Sequence, residues 1–454
     1  MNVDIIILGA GKGKRMNSDL PKVLHLVGGQ TILEHDVAAV QGLNPNSINV
    51  IYGHNGVQVC ERLSHLPVNW VEQKQQLGTG HAVSQALPNL SDDNLALILL
   101  GDVPLITKET LQSLLDVTPA GGVGLLTAEV DDPTGLGRIL RDDNGNVTGI
   151  IEHADASDAQ RQINEINTGI MAAPVKLLKQ WLSQVDNNNA QGEYYLTDVP
   201  AIAIKAGHPV TSALATCPTE VLGINDRQQL ARLERYYQQR EVTKLLLNGA
   251  SVRDPARVDI RGPVICGRDV SIDINCILAN VEIGNNVTIG ANCILRNVKV
   301  ADNVTIKDNS LLEDAILGEG AEVGPFARLR PGAELLDNAK VGNFVEVKKS
   351  TIGEGSKVSH LTYIGDATIG KHVNVGAGTI TCNYDGVNKY PTVIEDDAFI
   401  GSGVQLVAPV TIKHGATIGA GSVITKEAPA DTLSVARGKQ MAVPGWERPV
   451  KEKK

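Results

Sequence analysis

Aromatic side chains are scarce in this sequence, which contains three Phe, three Trp and eight Tyr among 454 residues. The core must therefore be built mainly from aliphatic side chains. Glycine is frequent by contrast, because its 46 residues exceed the share of roughly 7% that is usual in proteins. This composition suits short strands whose inner side chains are Ile, Val and Leu and which are joined by sharp turns.

A surplus of positive charge is also absent, since 41 Lys and Arg stand against 51 Asp and Glu and the net charge is −10. Proteins that bind nucleic acids or anionic membranes need a basic surface. The charge therefore argues against both classes of partner. Any phosphate site in this chain has to be a local cluster of cations and backbone amides.

Paired cysteine motifs and long apolar runs are missing too. None of the six Cys forms a CxxC pair, so neither a zinc site nor a thioredoxin-like motif is indicated, and we expect buried, reduced thiols. The N-terminus lacks the cationic segment and cleavage site of a secretion signal. No apolar run approaches the length of a membrane span. We therefore expect a soluble, cytoplasmic protein.

The second half of the chain repeats an apolar residue every six positions. A period of six fits neither an α-helix nor a plain strand, but it fits a coil of short strands in which each turn stacks on the one below. The sequence therefore predicts a hexapeptide-repeat parallel β-helix. Two runs with this period are Val323, Leu329, Leu335, Val341 and Val347, and Ile394, Ile400, Leu406, Ile412, Ile418 and Ile424.

One segment, residues 382–390, interrupts this repeat before it resumes at Ile394. An insertion in a repeat coil forms a loop on one face, often the binding face. His360 lies shortly before it in the sequence, and histidine titrates near neutrality. A surface histidine and a general base are both open interpretations of His360.

The first half alternates strands and helices. The apolar run at residues 5–8 predicts a buried strand, and it leads directly into a glycine-rich turn, residues 9–16, with Lys12, Lys14 and Arg15 in it and Lys22 nearby. Strand, glycine-rich turn and helix form a typical phosphate cradle, although neither the dinucleotide nor the Walker spacing is present. Glycines let amides approach a triphosphate and the cations offset its charge.

Two further loops carry candidate ligands. The continuous apolar run at residues 95–100 predicts a central parallel strand, and Asp102 follows it, where open α/β sheets bind ligands. Asp102 is therefore a candidate ligand for Mg²⁺, which prefers hard oxygen donors. The segment Gln73–Ala82 is rich in Gln, Gly and Thr, which suit hydrogen bonds to a base edge.

Helical spacing of apolar residues predicts a helix from Asp226 to about Asn248. We therefore divide the chain into an α/β domain at residues 1–226, a linker helix at 227–250, a β-helix at 251–437 and a tail at 438–454.

Several motifs carry a resemblance to known families. Residues 8–13, 21–24, 76–82 and 101–105 resemble sugar-nucleotide pyrophosphorylases. Residues 343–348, 360–363 and 380–386 extend the match, so that nearly the whole chain resembles the bacterial bifunctional family of N-acetylglucosamine-1-phosphate uridylyltransferase / glucosamine-1-phosphate N-acetyltransferase. The resemblance implies a Rossmann-like nucleotidyltransferase domain followed by a left-handed, trimeric β-helix.

For the first domain the resemblance implies uridylyl transfer from UTP to N-acetylglucosamine 1-phosphate. Arg15 and Lys22 would stabilise the triphosphate, and Asp102 and Asn225 would hold Mg²⁺. The implied binding residues are Leu8, Gly9, Ala10, Gly11, Leu100 and Gly101 for the nucleotide, Gln73, Gly78 and Thr79 for uracil, and Gly137, Glu152 and Asn167 for sugar and ribose.

For the β-helix the resemblance implies acetyl transfer from acetyl-CoA to glucosamine 1-phosphate. His360 would take a proton from the sugar amine, while Asn383 and Tyr384 would position the amine. The implied sugar-phosphate residues are Arg330, Lys348, Tyr363, Asn374 and Lys389, and the implied acetyl-CoA residues are Ala377, Ser402, Ala420 and Arg437.

Some positions depart from the family pattern, among them Leu100, where Tyr is frequent, Leu222, where Glu is usual, and Gly403, where Asp is usual. Leu100 removes a polar contact near the nucleotide. Two other functions stay open at this point. One is a pyrophosphorylase whose β-helix only oligomerises, and the other is a regulatory nucleotide-binding module, which would need no metal-activated leaving group.

Overall fold

The computed structural model describes residues 2–11, 13–53 and 56–449 of the chain. Lys12 of the glycine-rich turn and the basic C-terminal residues 451–454 lie outside them. The chain separates into two compact units, the first of which ends at Tyr237 and the second of which begins at Gln238. The boundary falls inside a helix, Arg227–Leu247, in the segment where the sequence predicts a linker.

The first unit contains, among its described residues, a mixed sheet of nine strands and a two-stranded hairpin, β2–β3. The order of the main path is β11-β7-β10-β6-β1-β4-β5, with β8 and β9 attached at β10. The strands are β1 (Val3–Leu8), β2 (Leu26–Val27), β3 (Gln30–Thr31), β4 (Ser47–Tyr52), β5 (Asn69–Glu72), β6 (Leu95–Leu100), β7 (Val123–Glu129), β8 (Gly137–Arg141), β9 (Val147–Ile151), β10 (Glu165–Pro174) and β11 (Val210–Leu214).

Strand β1 lies inside the sheet with both faces covered. Ile5 and Ile7 belong to one apolar cluster and Ile6 to another, because successive side chains of a strand point to opposite faces. The prediction for β6 is right in its bounds and burial but wrong in part about direction. β6 runs parallel to β1 and antiparallel to β10. Burial on both faces reports coverage by helices and does not determine the direction of a neighbouring strand.

Helices cover this sheet and position the loops at its edge. Helix α1 begins with a capping box, in which the Thr31 hydroxyl accepts from the Glu34 amide and the Glu34 carboxylate accepts from the Thr31 amide. The helices are α1 (Ile32–Gln41), α2 (Val57–Arg62), α3 (Thr79–Ala86), α4 (Lys108–Val117), α5 (Asp158–Arg161), α6 (Val175–Leu182), α7 (Val199–Lys205) and α8 (Arg227–Leu247).

The second unit is a parallel β-helix with three faces. Its first face is a sheet of eleven strands among the described residues. They are β12 (Ser251–Val252), β14 (Ser271–Ile272), β16 (Thr288–Ile289), β18 (Thr305–Ile306), β21 (Glu322–Val323), β24 (Lys340–Asn343), β27 (Lys357–His360), β30 (Asn374–Val375), β33 (Phe399–Ile400), β36 (Thr417–Ile418) and β38 (Leu433–Ser434).

The other two faces share three long strands, β13 (Val258–Cys266), β15 (Cys276–Ile283) and β17 (Ile294–Val300), and separate after β17. The second face continues with β19 (Leu311–Glu313), β22 (Arg328–Leu329), β25 (Glu346–Lys348), β28 (Tyr363–Gly365), β31 (Ile380–Cys382), β34 (Gln405–Val407) and β37 (Val423–Ile424). The third continues with β20 (Ala315–Leu317), β23 (Ala333–Leu335), β26 (Ser350–Ile352), β29 (Ala367–Ile369), β32 (Thr392–Ile394) and β35 (Val410–Ile412).

Three repeats of five or six residues make one coil. Ile272 pairs in parallel with Ile289, 17 residues further on, and Val323 pairs with Val341, 18 residues further on. The residues of both six-residue runs named above are buried in one continuous apolar cluster. The interpretation of the repeat as a parallel β-helix is therefore confirmed.

The insertion also lies where the sequence places it. Ile369 of the third face pairs with Ile394, and the offset between equivalent residues rises to 25 at this coil. Pairing resumes with normal spacing above it, as between Ile394 and Ile412. The additional residues therefore leave the coil without displacing the inward side chains.

Asparagine ladders occupy the corners of the coils. Asn275, Asn292 and Asn309 all have positive φ, near 60°, a region that Asn tolerates better than other residues with a Cβ. The Asn275 amide donates to Asn292 Oδ1 over 2.9 Å, and the Asn292 amide donates to Asn309 Oδ1 over 3.2 Å. Each corner is thereby held to the corner above it.

The cysteines agree only partly with the expectation. All six are free thiols, but only Cys276 and Cys293 are buried, while Cys217 is exposed and the remaining three are half-buried. Burial raises the pKa of Cys293 to about 12, so this thiol stays protonated. Among the described residues, no helix has the length and hydropathy needed to cross a membrane.

The ladder predicts a stability effect at Asn292. Replacing Asn292 by Ala removes two side-chain hydrogen bonds and leaves in the left-handed conformation a residue without the short polar side chain that makes Asn tolerant of it, which costs about 1–2 kcal/mol. We expect Asn292→Ala to lower the free energy of unfolding by that amount in a urea titration. Asn292→Gly removes the same hydrogen bonds without the backbone strain, so it should lose less. Equal losses in both variants would contradict the conformational explanation.

Candidate active sites

The carboxyl ends of β1 and β6 lie against each other. The Gly101 amide donates to the Leu8 carbonyl over 3.0 Å. A Cβ on Gly101 would lie only 3.0 Å from that oxygen and 3.2 Å from the Gly9 Cα. Gly101 therefore allows the loop that carries Asp102 to touch the glycine-rich turn.

Two cavities open beside this turn. The smaller, about 220 Å³, brings together the predicted cations and one predicted metal ligand. Its lining is Gly11, Gly13, Lys14, Arg15, Lys22 and Asn225. The larger, about 410 Å³, is lined by Gly9, Ala10 and Gly11 on one side and by Tyr52, Gly53 and Gln76 on another. The structure thus provides a space for an anion and an adjoining space for a larger group.

Lys22, Asp102 and Asn225 form one contact group. The Lys22 ammonium pairs with Asp102 Oδ2 and lies 3.4 Å from Asn225 Oδ1. Asp102 Oδ1 is buried and has no hydrogen-bond partner among the described residues. The Ile224 amide donates to the Asp102 carbonyl over 2.9 Å, which joins the two segments that carry the predicted metal ligands.

The predicted uracil residues also meet. The buried Gln73 amide donates to the Gly78 carbonyl over 3.2 Å and contacts His81 Nδ1 at 3.0 Å. Gly78 has a φ of 115°, and a Cβ there would lie 2.5 Å from the Tyr194 carbonyl oxygen. Thr79 accepts from the Leu196 amide. Glycine at position 78 is therefore required for this loop to close against residues 194–196.

The predicted sugar and ribose residues come from two strands and from the position that directly follows a third, since Glu152 comes after β9. Gly137 of β8 pairs with Asn167 of β10, and a Cβ on Gly137 would be 3.5 Å from Glu152 Oε2. The Thr197 hydroxyl donates to Glu152 Oε1 over 3.1 Å. Burial, followed by the charge of Asp155, raises the pKa of Glu152. The three residues thus share one polar surface.

Leu100 ends β6 and lies beside Gly169 of β10. A Cβ on Gly169, which has a φ of 79°, would lie 2.7 Å from a Leu100 methyl carbon. The apolar side chain therefore packs directly on the Gly169 backbone. This contact explains how leucine is accommodated at a position where the family more often has a polar tip.

Sequence reasoning missed two residues of the first unit. Gln76 has no role predicted from the sequence, yet its side-chain amide donates to the Ala10 carbonyl, so it joins the two loops. Asp36 on α1 is fully buried, and neither carboxylate oxygen has a hydrogen-bond partner among the described residues. Its signal was present in the sequence, because Leu33 and Val40 place Asp36 on the apolar face of a helix.

In the β-helix, His360 ends a strand of the first face. Its Nδ1 lies 2.8 Å from Asn343 Oδ1, the equivalent residue of the preceding coil. Because an amide oxygen only accepts, Nδ1 carries the proton and Nε2 keeps its lone pair for a substrate. The His360 side chain is exposed. Asn343 has no role predicted from the sequence, because only the coil offset of 17 residues relates it to His360.

A cationic group lies on the second face. Arg330 directly follows β22, and Lys348 ends β25, the equivalent strand of the next coil. The Arg330 guanidinium donates to the Glu346 carboxylate over 2.7 Å. The neighbouring Lys389 ammonium, from the insertion, lowers the pKa of Lys348. Tyr363 pairs with Glu346 in the next coil. Like charges held this close fit a site for a dianion such as a phosphate monoester.

The insertion begins at a buried amide. Asn383 is 7% exposed and donates to Asp366 Oδ2, and its Nδ2 would lie 2.9 Å from a Cβ on Gly365. Tyr384 is exposed, and its hydroxyl donates to the Gly386 carbonyl. Asn383 is therefore fixed by the coil, whereas Tyr384 is held only by the loop itself.

The predicted acetyl-CoA residues lie on successive coils. The Gly403 amide donates to the Ala377 carbonyl, and the Gly421 amide donates to the Ser402 carbonyl. Arg437 donates to the Ala420 carbonyl over 2.6 Å. Asn374 lies on the first face, in the coil that leads to Ala377. Ala377, Ser402 and Ala420 thus form a column of backbone and small side chains, and the Arg437 guanidinium contacts its last member.

Comparison with known proteins identifies the family. The Bifunctional protein GlmU of Coxiella burnetii (strain CbuK_Q154) is 58% identical over 454 residues, which is 100% of each chain. The chain belongs to the bifunctional GlmU family. Three models of known families match successive parts of the chain. They are a MobA-like NTP transferase domain at residues 5–246, a GMPPB C-terminal domain at 260–335 and six bacterial transferase hexapeptides at 391–426.

A solved nucleotidyl transferase from Methanothermobacter thermautotroptrophicus is 19% identical, with a TM-score of 0.38, and covers 53% of this chain and 99% of its own. This score does not establish a common fold.

The resemblance seen in the sequence is thereby confirmed. The chain is a GlmU-family bifunctional enzyme that combines a uridylyltransferase with an acetyltransferase. The predicted fold class, a nucleotidyltransferase domain followed by a left-handed parallel β-helix of hexapeptide repeats, is confirmed as well. The two functions left open from the sequence, a pyrophosphorylase alone and a regulatory module, are therefore set aside.

Asp36 predicts a pH dependence of stability. Burial, and then the charge of Asp102, raise the pKa of Asp36 well above its usual value. Between about pH 4 and the raised pKa, the native state keeps this proton whereas the unfolded chain loses it. The free energy of unfolding therefore falls as the pH rises through this range, by up to about 1.4 kcal/mol per pH unit. We expect Asp36→Asn to unfold at increasingly higher urea than the parent between pH 5 and pH 8.

The control for this prediction is Asp116→Asn, because Asp116 is exposed on α4. Its difference from the parent should stay flat across the same pH range. A flat difference for Asp36→Asn would mean that Asp36 is ionised in the native state.

Proposed function

We propose that the enzyme makes UDP-N-acetylglucosamine in two steps. The β-helix transfers an acetyl group from acetyl-CoA to glucosamine 1-phosphate. The first unit then transfers UMP from UTP to N-acetylglucosamine 1-phosphate and releases pyrophosphate. The observation that carries this proposal is the full-length match to a bifunctional protein together with two separate polar sites, one in each unit.

In the uridylyl step, a phosphate oxygen of the sugar attacks the α-phosphorus of UTP and pyrophosphate leaves on the opposite side. Arg15 and Lys22 line the smaller cavity with Gly11 and Gly13, so their charges and the glycine amides face the triphosphate. Charge that builds on the phosphate oxygens in the transition state is then balanced by groups already in place.

Asp102 and Asn225 would hold Mg²⁺. The fit rests on Asp102 Oδ1, a buried oxygen without a partner among the described residues, and on Asn225 Oδ1, which faces the same Lys22 ammonium. Among the described residues, no group of three or more His, Cys, Asp or Glu could hold a metal. Mg²⁺ suits a site with few protein ligands, because phosphates and waters complete its coordination. When bound, it would neutralise charge on the triphosphate.

The remaining residues of the first unit bind the two substrates. Gln73, Gly78 and Thr79 would face the uracil edge, since their loop is fixed by its contacts to residues 194–196. Gly137, Glu152 and Asn167 would take the sugar and ribose hydroxyls. The nucleotide would also lie against the loop ends formed by Leu8, Gly9, Ala10, Gly11, Leu100 and Gly101.

In the acetyl step, His360 Nε2 would accept a proton from the sugar amine as the amine attacks the thioester carbonyl. The C–S bond of the thioester would then break, and coenzyme A would leave and take up a proton as the free thiol. The Asn343 contact holds the ring with Nε2 free. Asn383 and Tyr384 would position the amine. Arg330, Lys348 and Lys389, with Tyr363 and Asn374, would bind the sugar phosphate.

Acetyl-CoA would lie along the column of Ala377, Ser402, Ala420 and Arg437. His360 lies on the first face and the cationic group on the second. We propose a homotrimer in which a neighbouring subunit completes this site. The proposal includes a cytoplasmic location, where UTP and acetyl-CoA are available, and no nucleic-acid partner.

A coupled assay tests the whole proposal. Glucosamine 1-phosphate, acetyl-CoA, UTP and Mg²⁺ are supplied together, and the product is resolved by mass spectrometry. UDP-N-acetylglucosamine is the expected product. When EDTA is added to remove Mg²⁺, the reaction should stop after the first step, and the acetylated sugar phosphate should accumulate. Uridylylation of unacetylated sugar as the main product would refute the order of the steps.

Asp102→Ala tests the metal assignment. Loss of the buried oxygen ligand should lower Mg²⁺-dependent pyrophosphate release at least about 100-fold, while acetyl transfer is unchanged. Asp92→Ala, which removes only a surface ion pair to Lys179, is the matched control. Full Mg²⁺-dependent activity in Asp102→Ala would refute the assignment.

His360→Ala tests the other site. Loss of a general base should lower acetyl transfer by about 10²–10⁴-fold, while uridylyl transfer from supplied N-acetylglucosamine 1-phosphate is unchanged. The control is His414→Ala, an exposed histidine of the β-helix that faces Asp397. Parallel loss of both activities in His360→Ala would contradict two separate sites.

A further inference from the structure

Arg227, the first residue of α8, contacts the two segments that carry the cations Arg15 and Lys22 of the proposed uridylyl site. Arg227 Nε donates to the Met16 carbonyl over 3.2 Å. Met16 closes the short helical turn Lys14–Met16, which contains Arg15. Its side chain is 1% exposed, so the carbonyl contacted by Arg227 belongs to a fixed point of the loop.

The same guanidinium makes a second contact. Arg227 Nη1 lies 3.3 Å from Nδ1 of His25. His25 is the residue that follows the turn Lys22–Leu24 and is 5% exposed. Burial, and then the charge of Arg227, lower the pKa of His25. Because a guanidinium only donates, His25 Nδ1 is the acceptor of this contact. One side chain therefore joins the segment of Arg15 to the segment of Lys22.

The start of α8 fixes Asn225 as well. The backbone N–H of Asn225 donates to Gln229 Oε1 over 2.7 Å, and the backbone N–H of Gln229 donates to Asp226 Oδ1 over 2.8 Å. This reciprocal pattern works like a capping box shifted by one residue. Asn225 and Arg227 are consequently placed by the same rigid turn.

We propose that Arg227 is a positioning residue for uridylyl transfer, holding the segments of Arg15 and Lys22 in register with Asn225. The proposal rests on the function proposed above for the first unit. Arginine is suited to this role because its planar fork presents two donors in fixed geometry, whereas a lysine ammonium cannot reach two separate acceptors in the same way. Misplacement of catalytic groups by about 1 Å costs on the order of 100-fold in rate.

The test compares three variants of the full-length enzyme. Arg227→Met and Arg227→Lys change the proposed positioning residue. Arg232→Met is the matched control, because Arg232 is exposed on the same helix and donates to Tyr236 one turn further on. Uridylyl kcat and KM for UTP, acetyl-transfer kcat and the thermal midpoint are measured for each protein.

We expect uridylyl kcat/KM of Arg227→Met to fall about 10–100-fold, mainly in kcat, with acetyl transfer unchanged and the thermal midpoint close to that of Arg232→Met. Arg227→Lys should recover less than half of the lost activity, although lysine matches arginine in charge and helix propensity. A purely structural role predicts full recovery by lysine.

Three results would overturn the inference: wild-type kinetics in Arg227→Lys, equal kinetics in Arg227→Met and Arg232→Met, or a parallel fall of acetyl transfer in Arg227→Met. Failure of the proposed function is distinguishable from all of these, because the parent enzyme would then form no UDP-N-acetylglucosamine from UTP.

Discussion

The return of the coil to the same position, after 17 or 18 residues outside the insertion, is the constraint on which the second unit depends. Parallel hydrogen bonds join equivalent residues of neighbouring coils, so a one-residue slip in the pairing of a strand would turn its inward side chains outward. Differences in coil length are therefore confined to the corners. The corners meet this constraint with left-handed Asn residues and with glycines. A Cβ on Gly284, for example, would lie 2.3 Å from Asp302 Oδ1, which leaves glycine as the residue that fits there.

The same constraint explains how a scaffold can carry a site. An insertion is tolerated where it leaves the coil at one corner and returns to it, as the offset of 25 residues between Lys371 and Asp396 shows. Asn383, which follows strand β31, is still held by Asp366, which lies 17 residues earlier in the preceding coil. The insertion is therefore anchored by the ladder, and beyond Asn383 it is held by its own contacts, such as the bridge between Tyr384 and Lys389.

The architecture could be predicted from the sequence wherever one period dominates. Buried positions every six residues define the β-helix, and the apolar runs at residues 5–8 and 95–100 define two strands, because burial alone produces those patterns. Strand direction could not be predicted. β10 runs antiparallel to β6 although β6 is as apolar as a fully parallel strand, and nothing local in its sequence records the partner. The exposure of Cys217 could not be predicted either, because a single cysteine outside a periodic pattern carries no signal of burial.

The two sites differ in how far sequence can describe them. In the β-helix, partners are separated by the coil offset, so the contact of Asn343 with His360 follows from counting 17 residues. In the first unit, Lys22 meets residues 80 and 203 positions away, and no repeat relates them. Their juxtaposition depends on sheet order and on close backbone approach at Gly101. A residue such as Arg227, which contacts Met16 from 211 positions away, therefore acquires its significance only in the folded chain.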